Sequence, residues 1–513
     1  MNFKKQEIQS KEIKNISADN NTQIIRKLAK ELVEISRIRK ENYPFKEEYL
    51  DRLIKKIEAH SGKFLIDLED LPDNFILRFN DHGKNILKNI FSHIKSNYGL
   101  DRVNRRWHTN FYLINESINK WYGGLRTDTL KKYVKFLYDQ KISIFDLNEV
   151  KKNVIELKAS IKSKSIRING LPIDLRDEKW ALIFGIIPDS NLKDFTFVAE
   201  DKDFADVVIR ALIDVGIDPY IKNQYNLVKI KGHSIIGHIL NIGGMQRNGR
   251  QLIANNCLPS WIFSCSNKYH AILLSKFLDT EGYVSKNRGG IRIAQASLID
   301  LAKEEKEFVL INSKTSIIKP SNKQSKILIF SKLNESLKEK VLSSPSLILL
   351  SIQLLLRKYG INSKIYPLRV YISSNGNASI SWHLTIIGFN EICKFYDLCG
   401  DYISIKYKRD NLKDTLNKQK IRCLPMGLRI PYYLINALEI QNKKGFFTTK
   451  DIIGISNKKR KSVYATVGYL AQLNLISVIK KDKRIKFWNI TKECMKILTE
   501  TCENKERWDY LLN

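Results

Sequence analysis

No run of about 18 apolar residues, the length a helix needs to cross a bilayer, occurs anywhere in this 513-residue chain. The opening MNFKKQEIQSKEIKNIS is polar and contains no apolar segment of signal-peptide character. The sequence therefore predicts no membrane partner and a cytoplasmic location. Cysteine is sparse. The seven at 257, 265, 393, 399, 423, 494 and 502 form no CxxC pair, which argues against a zinc knuckle and for reduced, structural thiols. Carboxylates are short too: 87 Lys+Arg face 54 Asp+Glu, a formal net charge of +33. An AT-rich genome would explain abundant lysine but not scarce acids. A surplus of this size points to a polyanionic partner, nucleic acid first.

A chain of this length should hold several domains. Residues 1–92 read as charged helices, for example TQIIRKLAKELVEISRIRK, with no chemistry to assign. Residues 93–165 give an apolar-periodic segment, a Gly123-Gly124 break and a second helix opening at Thr127-Asp128. That order fits a helix-turn-helix and fits a plain helical hairpin equally well.

The middle of the chain repeats. VIRALIDVGIDPYIK (208–222) lies over IQLLLRKYGINSKIY (352–366) without a gap, pairing Gly216-Ile217 with Gly360-Ile361. KGHSIIGHILNIGG (231–244) lies over IGFNEICKFYDLCG (387–400), pairing Gly232 with Gly388 and Gly244 with Gly400. Each copy is a helix closed by glycine, strands, a glycine and a second helix. Leading helices are available at WALIFGIIPDSNL (180–192) and AILLSKFLDTEGYV (271–284). The expected fold is α+β, a duplicated αββαββα core with pseudo-two-fold symmetry, its copies at 166–262 and 263–412.

The second leading segment, LSKFLDTEG (274–282), resembles the signature of LAGLIDADG homing endonucleases, and residues 170–412 as a whole are similar to the double-motif members. The resemblance implies two packed helices whose terminal acids hold Mg²⁺ or another divalent cation, hard oxygen ligands suiting that ion. On that carry-over Glu281 is one metal ligand and catalytic acid, and Asp189 the other. If Gly185 instead takes the mid-helix glycine position, the first acidic position falls on Ser190. Lys229 or Lys231 stands where a basic helper is expected, while the matching Thr385 and Ile387 are not basic. Gln295 matches a position that orients water. Lys276 replaces a small residue and is expected to snorkel outward; Asp279 is expected at a helix end or near DNA. Two sheets would form a saddle on duplex DNA, with Lys229, Lys286, Arg288 and Arg292 as contacts. Internal duplication predicts a monomer.

Residues 424–513 resemble a winged helix. Lys458, Lys459, Arg460 and Lys461 cluster at the start of its recognition helix, and Lys481, Lys483 and Arg484 make the wing basic. The leading functional expectation is a metal-dependent, site-specific DNA endonuclease. The alternative is an inactive descendant that binds DNA, or RNA as an intron maturase. Met1 and the terminal Leu-Asn lack the residues of a splicing intein.

Overall fold

A computed structural model describes residues 2–38, 46–59, 62–107, 124–142, 146–160, 163–224, 227–246, 256–285, 290–318, 323–422, 426–456, 460–482, 485–492 and 494–495. Helix and sheet are mixed, as an α+β chain requires. The chain divides into two compact units, one of residues 1–284, 291–386 and 394–409, the other of 285–290, 387–393 and 410–513. Among the described residues no single helix is long and apolar enough to cross a membrane.

The first unit opens with α1 (Asn2–Ile38) and α2 (Glu47–Ala59). Leu50, Leu53, Ile54 and Ile57 recur at helical spacing and form the buried stripe of α2. Next come β1 (Leu65–Ile66), β2 (Ile76–Phe79), α3 (Asp81–Tyr98), α4 (Leu100–Trp107), β3 (Leu125–Arg126), α5 (Thr127–Asp139), α6 (Leu147–Lys152), β4 (Val154–Lys158), β5 (Ser165–Arg167) and β6 (Ile173–Asp174). Strands β3-β2-β4-β5 form a sheet. The purely helical character expected for 1–92 and 93–165 is thus corrected. These strands run two to five residues and carry interspersed charge, too little for a period of two to show in the sequence. Gly123 lies outside the described residues; a helix does begin at Thr127.

The first copy of the repeat runs α7 (Glu178–Gly185), a 3₁₀ turn (Ile187–Asp189), β7 (Ser190–Asn191), β8 (Thr196–Ala199), α8 (Lys202–Asp214), β9 (Tyr220–Gln224), β10 (Leu227–Lys231) and α9 (Ser234–Ile242). Its sheet has the order β7-β8-β10-β9. The second copy runs α10 (Asn267–Glu281), β11 (Gly282–Ser285), β12 (Gly290–Ile299), α11 (Lys303–Asn312), β13 (Lys314–Ile318), β14 (Lys323–Ile329), α12 (Glu335–Leu342), α13 (Leu347–Lys358), β15 (Lys364–Ser373), β16 (Ala378–Ile387) and α14 (Phe389–Cys399), followed by α15 (Lys406–Arg422). Its sheet has six strands, β11-β12-β16-β15-β14-β13. The ungapped repeat is realised as α8–β9–β10–α9 against α13–β15–β16–α14. Gly216 and Gly360 close their helices with φ of +89° and +66°, the left-handed backbone that glycine adopts without penalty. Residues 303–342 are an insertion into the second copy that adds β13 and β14 to the sheet edge.

The second unit contains α16 (Met426–Lys444), β17 (Phe447–Thr448), α17 (Thr449–Ser456), α18 (Arg460–Gln472), β18 (Ile476–Asp482) and β19 (Ile485–Ile490), with sheet order β17-β19-β18. Helix, strand, two helices and a hairpin make a winged helix. Its core joins Leu434, Val463, Val467, Leu470, Ile476 and Trp488. Thr448 caps α17 reciprocally: its amide and hydroxyl donate to Asp451 Oδ2 at 2.7 and 2.8 Å, and the Asp451 amide returns to Thr448 Oγ1 at 3.4 Å.

Candidate functional site: two helix ends and two sheet faces

The two leading helices pack directly on each other, and their crossing falls at Gly185. A Cβ built there would lie 2.5 Å from Lys276 Cβ and 2.8 Å from the Leu273 carbonyl, so only glycine permits this approach. The close contact expected of two small residues is met from one side, Gly185 leaving room for the Lys276 stem.

From the crossing, α10 continues as α-helix to Glu281, and the strand begins at Gly282. On the other side Pro188 stands inside a 3₁₀ turn that ends at Asp189, and the strand begins at Ser190. With three residues per turn rather than 3.6, this arm reaches its sheet one residue sooner. Both readings of the first motif therefore have a structural counterpart: Gly185 sits at the crossing, yet Asp189, like Glu281, is the last helical residue before its strand. Ser190 pairs across the ladder with Phe197, which pairs with Ile230, so these three share the core face. Ser190 is fully buried and its hydroxyl donates to the Ile186 carbonyl at 2.8 Å.

Lys276 does not snorkel, and Asp279 is not near a surface. Their side chains are 4% and 0% exposed and ion-paired at 2.9 Å. Lys276 Nζ also donates to the Tyr402 carbonyl at 2.5 Å and to Ser404 Oγ. Asp279 additionally accepts from the Ser404 and Ile405 amides at 2.9 and 3.2 Å, just ahead of α15. An apolar helix end can hold this pair because every donor and acceptor is answered. From the first turn of α15, buried Lys408 reaches back and donates to the Leu278 and Asp279 carbonyls at 2.9 and 2.6 Å. Burial pushes the pKa of Lys408 down, opposed by the carboxylates of Asp279, Glu281, Asp201 and Glu200. Burial also lowers Lys276, opposed by Asp279.

A divalent ion does not fit this end of α10 well. The Asp279 carboxylate and the carbonyls of Leu278 and Asp279, the hard oxygens it would seek, are occupied by ammonium groups. Among the described residues no group of three or more His, Cys, Asp or Glu side chains could hold a metal. Glu281 and Asp189 are both half-buried, and each already interacts with other groups.

The other predicted residues lie on the sheets. Lys229 pairs with Lys222 and Val198, and Lys231 with Tyr220 and Thr196, so Tyr220, Lys222, Lys229 and Lys231 share the face opposite Phe197 and Ile230. Gln295 is buried and alternates with Ile291 and Ile293 on the core side of β12; its amide nitrogen has no hydrogen-bond partner. Arg292 points the other way. On that face β15 and β16 bring Lys364 against Thr385, Tyr366 against His383, Arg369 against Ser381 and Tyr371 against Ser379. His383 has its pKa lowered by burial and by Arg292 and Arg369. Neither His383 Nδ1 nor Arg369 Nε has a hydrogen-bond partner. Of this cluster the sequence singled out only Arg292; Arg369 and His383 were missed, and a period-two reading of KIYPLRVY fails at the bulge between Pro367 and Arg369. Lys364 supplies a cation beside Thr385, where the matching strand position has none.

In the winged helix Arg460 is exposed over Tyr464, 5.7 Å from its ring, and Lys481 is exposed on β18. Lys461 lies in α18. Lys286, Arg288, Lys458, Lys459, Lys483 and Arg484 fall outside the described residues.

Crossed leading helices, each opening onto a sheet, define a LAGLIDADG-like architecture. Residues 268–400 match the family model described as LAGLIDADG-like domain, which covers the second copy. An uncharacterized protein of Methanocaldococcus jannaschii, MJ0398, is 28% identical over 133 residues, 26% of this chain and 46% of that protein. The chain thus matches under half the length of that relative. The crystal structure of full-length DUF199/WhiA from Thermatoga maritima aligns over 58% of this chain and 91% of that one, at 12% identity and a TM-score of 0.24, too low to support any inference.

Proposed function

We propose that this chain is a LAGLIDADG-derived DNA-binding protein that engages duplex DNA through the faces of its two sheets turned away from their cores, without cutting it. The observation that carries the reading is the half-buried Arg292–His383–Arg369 cluster. It holds two polar atoms with no protein partner, flanked by Lys364, Tyr366 and Tyr371. Arg292, Arg369 and Lys364 place cations on one sheet face, which phosphates would answer, with arginine suited to guanine in the major groove. Tyr220, Lys222, Lys229 and Lys231 offer a second basic face of the same kind. The winged helix, with exposed Arg460, Lys480, Lys481 and Lys486, adds affinity through linkage.

Binding of labelled duplex DNA, single-stranded DNA and RNA, titrated with salt, tests this. Duplex binding should fall steeply with salt, and Arg369→Ala and His383→Ala should each weaken it. Equal binding by both variants would remove the sheet face from the interface, and preference for RNA would favour the maturase-like alternative. Mg²⁺-dependent cleavage lost in Glu281→Gln would restore the endonuclease reading.

A further inference from the structure

We propose that Lys408 is a resident cation at the end of α10, tying that helix to α15 where a divalent ion could otherwise bind and making the domain independent of metal. This rests on the non-cleaving reading above and concerns the same helix ends. The last backbone carbonyls of a helix carry partial negative charge and have spare acceptor capacity. In α10 Lys408 reaches the Leu278 carbonyl, which also accepts from the Gly282 amide, and the Asp279 carbonyl, in a field to which the carboxylates of Asp279, Glu281, Asp201 and Glu200 contribute. Hard oxygens around acids are what Mg²⁺ and Ca²⁺ bind. Lys408 delivers one positive charge and two hydrogen bonds to that spot, on a stem that is 5% exposed.

The arrangement is reciprocal. Asp279 of α10 binds the Ser404 and Ile405 amides at the start of α15, and Lys408 of α15 binds the last carbonyls of α10. Each helix thus caps the other with a side chain of the sign its terminus favours. A hydrated ion would have to displace an ammonium already making two short hydrogen bonds, which is why a cation contributed by the protein excludes one from solution.

Thermal unfolding of the full chain without DNA tests this, so its outcome is separate from that of the binding reading. Wild-type protein should melt at the same temperature in Mg²⁺, in Ca²⁺ and in EDTA. Lys408→Arg should stay close to wild type, and Lys408→Met, which keeps length and loses charge, should melt several degrees lower, on the order of 3–6 °C. Lys408→Ala vacates the oxygens and should acquire a rise in melting temperature with Mg²⁺ or Ca²⁺, because an ion that binds only the folded state stabilises it. A metal-dependent rise in the wild type would overturn the proposal, and that measurement needs no variant to fold. Lys408→Met melting with wild type, or Lys408→Ala gaining no response to either ion, would equally overturn it.

Discussion

Helix α7 and its 3₁₀ turn end against their sheet through Phe184, Ile186 and Ile187, all fully buried. Helix α10 ends through Lys276 and Asp279, buried almost as deeply. Counting back from the last helical residue, Asp189 or Glu281, Phe184 stands where Lys276 does and Ile187 where Asp279 does. One copy solves the end of its helix with apolar contact, the other with a closed polar network. The first is tolerant, since hydrophobes of similar volume exchange at small cost. The second is brittle, because removing one member strands the others in a dry environment.

Breaking the pair should have the largest effect. Asp279→Asn leaves the Lys276 charge without its counter-charge and should cost about 3–5 kcal/mol of unfolding free energy by denaturant titration. The double variant Lys276→Met/Asp279→Leu, which makes the second copy resemble the first, should recover most of that. It should stop short by about 1–2 kcal/mol, because the Ser404 and Ile405 amides stay unanswered.

A second contrast is acid sensitivity. The leading helix of the first copy contains no histidine, whereas α10 buries His270, with Nε2 donating to the Ile262 carbonyl at 2.6 Å and Nδ1 2.5 Å from the Tyr359 hydroxyl. Burial pushes its pKa down to about 4. The folded chain favours the neutral ring, so this contribution is fully present above pH 6.5 and is lost as pH falls from 6.5 towards 4. The loss amounts to roughly 3 kcal/mol at most. Melting temperatures across that window should decline in the wild type, and the decline should be shallower in His270→Gln.

Smaller still, Gly185→Ala should cost about 1–3 kcal/mol by forcing the helices apart at Lys276. An unchanged melting temperature would mean that the crossing is looser than described. The smallest effects should be seen on the sheets. Lys229→Ala and Lys231→Ala should each reduce the log–log salt slope of DNA binding by about 0.9, with little change in stability, if both touch phosphates.

What was legible in the sequence follows how local each signal is. The duplication could be read because Gly216 and Gly360 mark equivalent helix ends, and the winged helix because its caps and charge clusters are contiguous. Strands β13 and β14 were not read, since KTSII and KQSKILI mix lysine and serine into the apolar pattern, although Pro320-Ser321-Asn322 between them is a turn signal. At the helix ends, Glu281 stood out by its glycine neighbour. Lys408 did not: KYKRDNLKD looks like any solvated charge run, and its partners lie 130 residues earlier at Leu278. The usable clue was the Lys276–Asp279 pair itself, two charges in a buried helix whose remaining donors and acceptors must be answered from elsewhere in the chain.

The bond between Asp279 and the Ser404 amide spans 125 residues of chain. During synthesis, therefore, α10 leaves the ribosome long before residues 404–408 exist. Translation proceeds at about 5–20 residues per second, so the helix waits several seconds or more with an acid and a lysine that have only each other. The second copy cannot close until residues 404–408 have been made. Nascent chains truncated before residue 404 should remain protease-sensitive at α10, and those extended beyond α15 should become resistant in a single step.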